Sequence, residues 1–126
     1  MYIDLLTKIK NAQASKKEGI KTIYSKMDER ILGVLKSYNY ISDFEKKGRG
    51  AKRVLDVVLK YDQEGGIIRG INFVSRPSCR IYVGYRDIRY VRSGYGISVL
   101  STPLGILSNK DAKKNKVGGE ILFEIW

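Results

Sequence analysis

Five arginines, Arg76, Arg80, Arg86, Arg89 and Arg92, alternate along one stretch with Tyr82, Tyr85, Tyr90 and Tyr95. Guanidinium groups grip phosphate oxygens in a planar fork and phenol rings stack on splayed bases, so this alternation suits RNA. The same spacing also fits an ordinary strand that turns Ile81 and Val83 to a core and leaves Arg80 and Tyr82 in solvent. Further on, Ser101 and Thr102 carry short hydroxyls that donate and accept, and they let the backbone approach a base edge or a ribose 2′-hydroxyl. Pro103 and Gly105 fit the second and fourth positions of a tight turn, so on spacing alone a plain turn between strands explains that run better. At the C-terminus, Ile121, Phe123 and Ile125 alternate with Glu120, Leu122, Glu124 and Trp126, the period of a half-buried strand. A carboxylate on a basic surface repels phosphate. Glu120 is therefore expected to accept from a base amino group or a 2′-hydroxyl, or to pair with a nearby cation, and so to position rather than to grip.

Catalytic chemistry finds little material. Histidine is absent, which removes the side chain that titrates nearest neutral pH and the commonest metal ligand. Cys79 is the only cysteine, so no intramolecular disulfide or multi-cysteine zinc site can form, and a small packing residue is expected there. The run Gly48, Arg49, Gly50, Ala51, Lys52 lacks the spacing and the final hydroxyl of a P-loop and reads as a basic hairpin turn, with backbone phosphate contact as an extra. Gly94, Tyr95 and Gly96 lack the third glycine of a dinucleotide fingerprint. An RNA-processing enzyme with magnesium would need Glu120 with Glu124, or Asp56 with Asp62. The first pair, read as sharing a strand face, stands roughly 13 Å apart at four strand rises, too far to share one ion unaided. No enzyme, metal or cofactor is expected.

The elements that must position these residues follow from periodicity. Leu5, Leu6, Ile9 and Ala12 recur at helical spacing between Asp4 and Ala14. An extended segment at Ile20 to Tyr24 precedes a second helix, capped by Ser25, with Asp28 in its first turn, Met27, Ile31, Val34, Leu35 and Tyr38 as its apolar stripe and an end near Asn39. Strands are predicted over 40–44, 54–61 and 67–74, and, beyond Pro77, over 80–84, 96–100, 104–108 and 119–126, with a short charged helix near 109–115. The fold class is α+β in two small lobes: residues 1–74, two helices on a three- to four-stranded sheet, and residues 75–126, mostly β with a short helix.

Charge is the strongest compositional signal. The 126 residues carry 24 Lys and Arg against 13 Asp and Glu, a net +11, with 15 basic and 9 acidic groups in 1–74 and 9 and 4 in 75–126. Such self-repulsion is relieved by a polyanion, and nucleic acid leads, although charge alone leaves RNA, DNA and anionic membranes open. No apolar run reaches membrane-spanning length and no signal-like segment opens the chain, so a cytoplasmic, soluble protein is expected.

Four ordered blocks sharpen this reading: DLLTKIKNA (4–12), SRPSCRIYVG (75–84), VRSGYGISVLST (91–102) and VGGEILFEIW (117–126). Together they resemble the S-eight family of bacterial small-subunit ribosomal proteins over nearly the whole chain. The resemblance implies a structural role without catalysis and direct binding to the central domain of 16S ribosomal RNA, with support of subunit assembly. The C-terminal lobe would recognise an irregular stem, and the first helix would touch a further RNA region. Carried over by residue, the hydroxyl loop is Ser101 and Thr102, its supporting turn Gly118, Gly119 and Glu120, and Tyr82 comes from the second block. The first helix contributes Thr7, Lys8, Lys10 and Asn11. Arg76, Arg80 and Arg92 join them from the arginine and tyrosine alternation. Implied partners are 16S RNA, neighbouring small-subunit proteins and, in some members, the messenger RNA of their own operon. The alternative is a free-standing messenger-RNA repressor using the same surface. Where the family loop commonly reads Ser-Thr-Ser, this chain has Pro103 in third place, which removes a hydroxyl and a backbone N–H.

Overall fold

The computed structural model describes every residue except Met1, Glu64 and residues 92–94. Its contacts divide the chain into two compact units, one up to Ile67 and one from Ile68 onward.

The first unit contains α1 (Tyr2–Ala14), β1 (Gly19–Ile23), α2 (Lys26–Ser37), β2 (Ile41–Lys47), a 3-10 turn (Gly50–Lys52), β3 (Val54–Leu59) and the two-residue strands β4 (Tyr61–Asp62) and β5 (Gly65–Gly66). Strands β1, β3 and β2 form an antiparallel sheet in that order. Along β3, Leu55, Val57 and Leu59 are buried, while Val58 is exposed, the period of two expected of a sheet covered on one side. The cover comes from Leu5, Leu6 and Ile9 of α1 and from Ile31, Leu32 and Leu35 of α2, all fully buried. Each such side chain contributes about 1.5 to 3 kcal/mol of transfer free energy, so this stripe holds the unit together. Ser25 takes the extended N-cap conformation, yet its hydroxyl makes no cap bond. Beyond the other end of α2, Asn39 adopts φ +64°, and Tyr40 N–H returns to the Leu35 carbonyl at 2.9 Å.

The second unit contains β6 (Ile71–Phe73), β7 (Tyr82–Val83), a 3-10 turn (Tyr85–Asp87), β8 (Ile97–Thr102), β9 (Gly105–Ser108), α3 (Asn109–Lys114) and β10 (Gly119–Ile125). Strands β6, β10, β8 and β9 are neighbours in that order, and β7 also pairs with β10. The Ser108 hydroxyl caps α3 by accepting from Asp111 N–H at 3.1 Å, and Ala112 packs with Ile88 and Leu100.

Three expectations change here. The segment 67–74 does not extend the first sheet: its strand Ile71–Phe73 pairs with β10. The stretch around Pro77 is a tight turn, closed by Arg76 and Cys79 exchanging two backbone hydrogen bonds of 2.9 Å, and it joins two strands that follow each other along one edge of β10. Pro77 interrupts a strand without separating two units. Cys79 is exposed in that turn and is no packing residue.

Candidate nucleic-acid interface

The beginning of β10 organises the surface. Glu120 pairs with Tyr82 on one side and with Ser101 on the other, so register alone sets Tyr82, Glu120 and Ser101 in one row across three adjacent strands. Residues directly opposite in antiparallel strands project from the same face. Tyr82 is 67% exposed, whereas Glu120 and Ser101 are half-buried. No Lys or Arg among the described residues pairs with Glu120, which leaves its carboxylate as an acceptor beside a phenol and a hydroxyl. Gly118 and Gly119 make this crowding possible. A Cβ on Gly119 would stand 2.1 Å from the Ser101 carbonyl oxygen, and one on Gly118 would stand 2.2 Å from that of Val83.

Thr102 closes β8 opposite Gly105, with Pro103 and Leu104 as the two turn residues. Its hydroxyl donates to the Gly105 carbonyl at 2.7 Å and accepts from Leu104 N–H at 3.2 Å. The plain-turn reading is therefore realised, and the proton expected to face a partner is used inside the turn. One acceptor lone pair remains. Proline cannot take the positive φ that two-residue hairpin turns prefer at their first position, and the positive φ falls instead on Gly105, at +113°.

The arginine and tyrosine alternation does not form one continuous face. Tyr85 is half-buried against the Ile88, Leu100 and Ala112 cluster, with Arg86 bonded to its hydroxyl at 3.1 Å and lying 5.6 Å from its ring centre. The Tyr90 ring carries Lys113 at 4.9 Å. A 3-10 turn at 85–87 breaks the period that strand geometry would need. Arg76 and Arg80 are exposed at and after the Pro77 turn, and Arg92 lies outside the described residues.

In the other unit, Thr7, Lys8, Lys10 and Asn11 lie on the exposed face of α1. Thr7 donates its hydroxyl to the Ile3 carbonyl at 2.8 Å, as helical threonines do. Lys8 and Asn11 line a groove of about 460 Å³ with Ser15, Lys17 and Lys21.

The protein-family model described as ribosomal protein S8 matches residues 2–126. The chain belongs to the ribosomal protein S8 family. Curated relatives carry the name small ribosomal subunit protein uS8. The protein of Mycoplasma mobile is 39% identical over 123 residues, covering 98% of this chain and 92% of its own length. That of Persephonella marina is 42% identical over 129 residues, covering 98% and 95%. That of Campylobacter jejuni is 40% identical over 124 residues, again covering 98% and 95%.

In this S8-family chain, the carboxylate pair considered for magnesium chemistry comes apart. A bulge between Ile121 and Phe123 shifts the register of β10, so that Glu120 opposes Ser101 while Glu124 opposes Ser98. Positions 98 and 101 have opposite parity on β8, which sets the two carboxylates on opposite faces of the sheet. Glu124 accepts instead from Asn72 at 3.1 Å. Among the described residues no group of three or more acidic or cysteine side chains is arranged to hold a metal, and no helix is long and apolar enough to cross a membrane. Lys17 and Lys21 escaped the sequence reading because their only signal is charge. They join Lys8 and Asn11 through the return of the chain from α1 to β1.

Proposed function

We propose that the protein is a structural constituent of the small ribosomal subunit, without enzymatic activity, that binds the central domain of 16S ribosomal RNA directly and supports subunit assembly. Membership of the ribosomal protein S8 family supports the ribosomal setting. The observation that carries the binding mode is the Tyr82, Glu120, Ser101 row, with the hydroxyl turn at its end. A stacking ring, an acceptor without a cation partner and a small hydroxyl are the groups that read splayed bases and 2′-hydroxyls, and none of them carries a positive charge. Attraction comes from the +11 net charge, and discrimination from the row. Ser101, Thr102, Gly118, Gly119, Glu120 and Tyr82 recognise the stem, Arg76, Arg80 and Arg92 reach its phosphates, and Thr7, Lys8, Lys10 and Asn11 hold a further RNA segment.

The test is a binding titration of the isolated central-domain stem and of a generic duplex of equal length across a salt series. The stem binds at least a hundredfold more tightly, by about 3 kcal/mol or more, and the gap persists as salt rises. Equal affinity for the two RNAs would sink the proposal.

A further inference from the structure

The hairpin of β2 and β3 carries four cations at its loop end, and the row of Tyr82, Glu120 and Ser101 uses none of them. Lys46 is the penultimate residue of β2, Arg49 and Lys52 sit in the loop, and Arg53 immediately precedes β3, all of them exposed. The neighbouring Lys47 is neutralised at 3.0 Å by Asp56 and lies 3.8 Å from Glu45. No carboxylate among the described residues pairs with Lys46, Arg49, Lys52 or Arg53.

The loop is also built rather than loose. Gly48 has φ +90°, and a Cβ there would stand 2.5 Å from the Lys52 carbonyl oxygen, so the two sides of the loop touch. Lys52 N–H bonds the Arg49 carbonyl at 3.1 Å. Arg53 donates through Nε to the Gly50 carbonyl at 3.0 Å, and its guanidinium lies 4.5 Å from the ring centre of Tyr24. Lys46 lies 5.2 Å from the same ring, and Tyr24 N–H bonds the Arg53 carbonyl at 3.1 Å. One tyrosine thus gathers cations from both sides of the loop. With Nε engaged and the ring fixing its plane, Arg53 keeps its two Nη nitrogens for an outside acceptor in an orientation already set.

We propose that this loop, with Tyr24 as its support, is a second phosphate-gripping site that holds an RNA backbone segment other than the stem read by the second unit. The proposal rests on the RNA-binding reading above. Four cations without a carboxylate partner, gathered at a closed loop, match the charge of a nucleic-acid backbone, and the Tyr24 ring beside them is already occupied by Lys46 and Arg53, so the contact is sequence-independent.

The test uses the full chain with Arg49→Gln, Lys52→Gln and Arg53→Gln combined, and also the pair Arg49→Gln with Lys52→Gln, whose side chains make no internal bond. Both are titrated against the isolated stem and against a longer 16S fragment containing the stem and its flanking helices. On the longer RNA, the triple variant lowers the slope of log Kd against log salt by about 2, and the double variant by about 1 to 2, while stem binding is unchanged. Arg53→Lys, which keeps the charge, retains most of the slope. An unchanged slope on the longer RNA overturns the proposal and assigns the loop to an acidic protein surface. Equal losses on stem and longer RNA overturn it too. Wild-type protein that fails to prefer the stem over a duplex would instead strike at the parent reading, whatever the loop variants do.

Discussion

At the scale of single residues, the Thr102 hydroxyl has two bonds inside its own turn and one acceptor position left over. Thr102→Ala is therefore a stability mutation as well as a binding mutation. It costs about 1 to 2 kcal/mol in urea unfolding and weakens stem binding about tenfold without altering the salt slope. Thr102→Ser, which keeps the hydroxyl, restores most of both. A stable Thr102→Ala protein with full affinity would show that the turn needs neither bond. Asp28 presents a different case. It is 3% exposed in the first turn of α2, and its Oδ1 finds no hydrogen-bond partner. Burial pushes its carboxyl up from the ordinary value of 3.8, a push that the N-terminal ammonium partly offsets and the Asp4 charge adds to. A raised folded pKa means that ionisation favours the unfolded chain. The penalty is absent below the unfolded value and builds as pH rises through the folded one. Asp28→Asn should accordingly raise Tm at pH 7, with the advantage shrinking as melts are repeated toward pH 3.5. An advantage independent of pH would assign it to another cause.

At the scale of elements, the close approach of β10 to its neighbours depends on glycine. Gly119→Ala drives a Cβ to 2.1 Å from the Ser101 backbone, which no side-chain rotation relieves. It should destabilise the protein by about 2 to 3 kcal/mol in urea unfolding, through strand separation at the row that holds Tyr82, Glu120 and Ser101. Gly33→Ala makes the contrast. A Cβ there meets nothing within 4 Å inside α2, so it should stabilise by about 0.5 to 1 kcal/mol. A Gly119→Ala protein as stable as the parent would mean looser packing at Gly119, and a destabilised Gly33→Ala protein would mean a hidden clash in α2. Periodicity announced both long helices and most strands because each buries one face, and the pattern of that face is local. It did not announce the bulge in β10, since Ile121, Leu122 and Phe123 are apolar whichever way they point, and that bulge separates Glu120 from Glu124.

At the scale of the whole molecule, the charge is spread over both units, and moving the boundary to Ile67 and Ile68 gives residues 68–126 a net +6 and residues 1–67 a net +5. A partner engaging both would show a steeper salt dependence than one engaging the C-terminal stem alone, which is what the comparison of short and long RNAs measures. Composition, order and spacing determined by themselves that this is a basic α+β chain without histidine chemistry. They also carried the four blocks that mark its family, because charge, periodicity and motif order are properties of the chain itself. Only the tertiary structure decided which strands are neighbours. It took Ile71–Phe73 from the first sheet to β10, turned Pro77 from a boundary into a hairpin, and split the arginine and tyrosine run between core and surface. Above all, it aligned Tyr82, Glu120 and Ser101, which lie 19 to 38 residues apart in sequence, into one row. Strand pairing is set by long-range hydrogen bonds and shared burial, and no local pattern encodes which edge a strand will find.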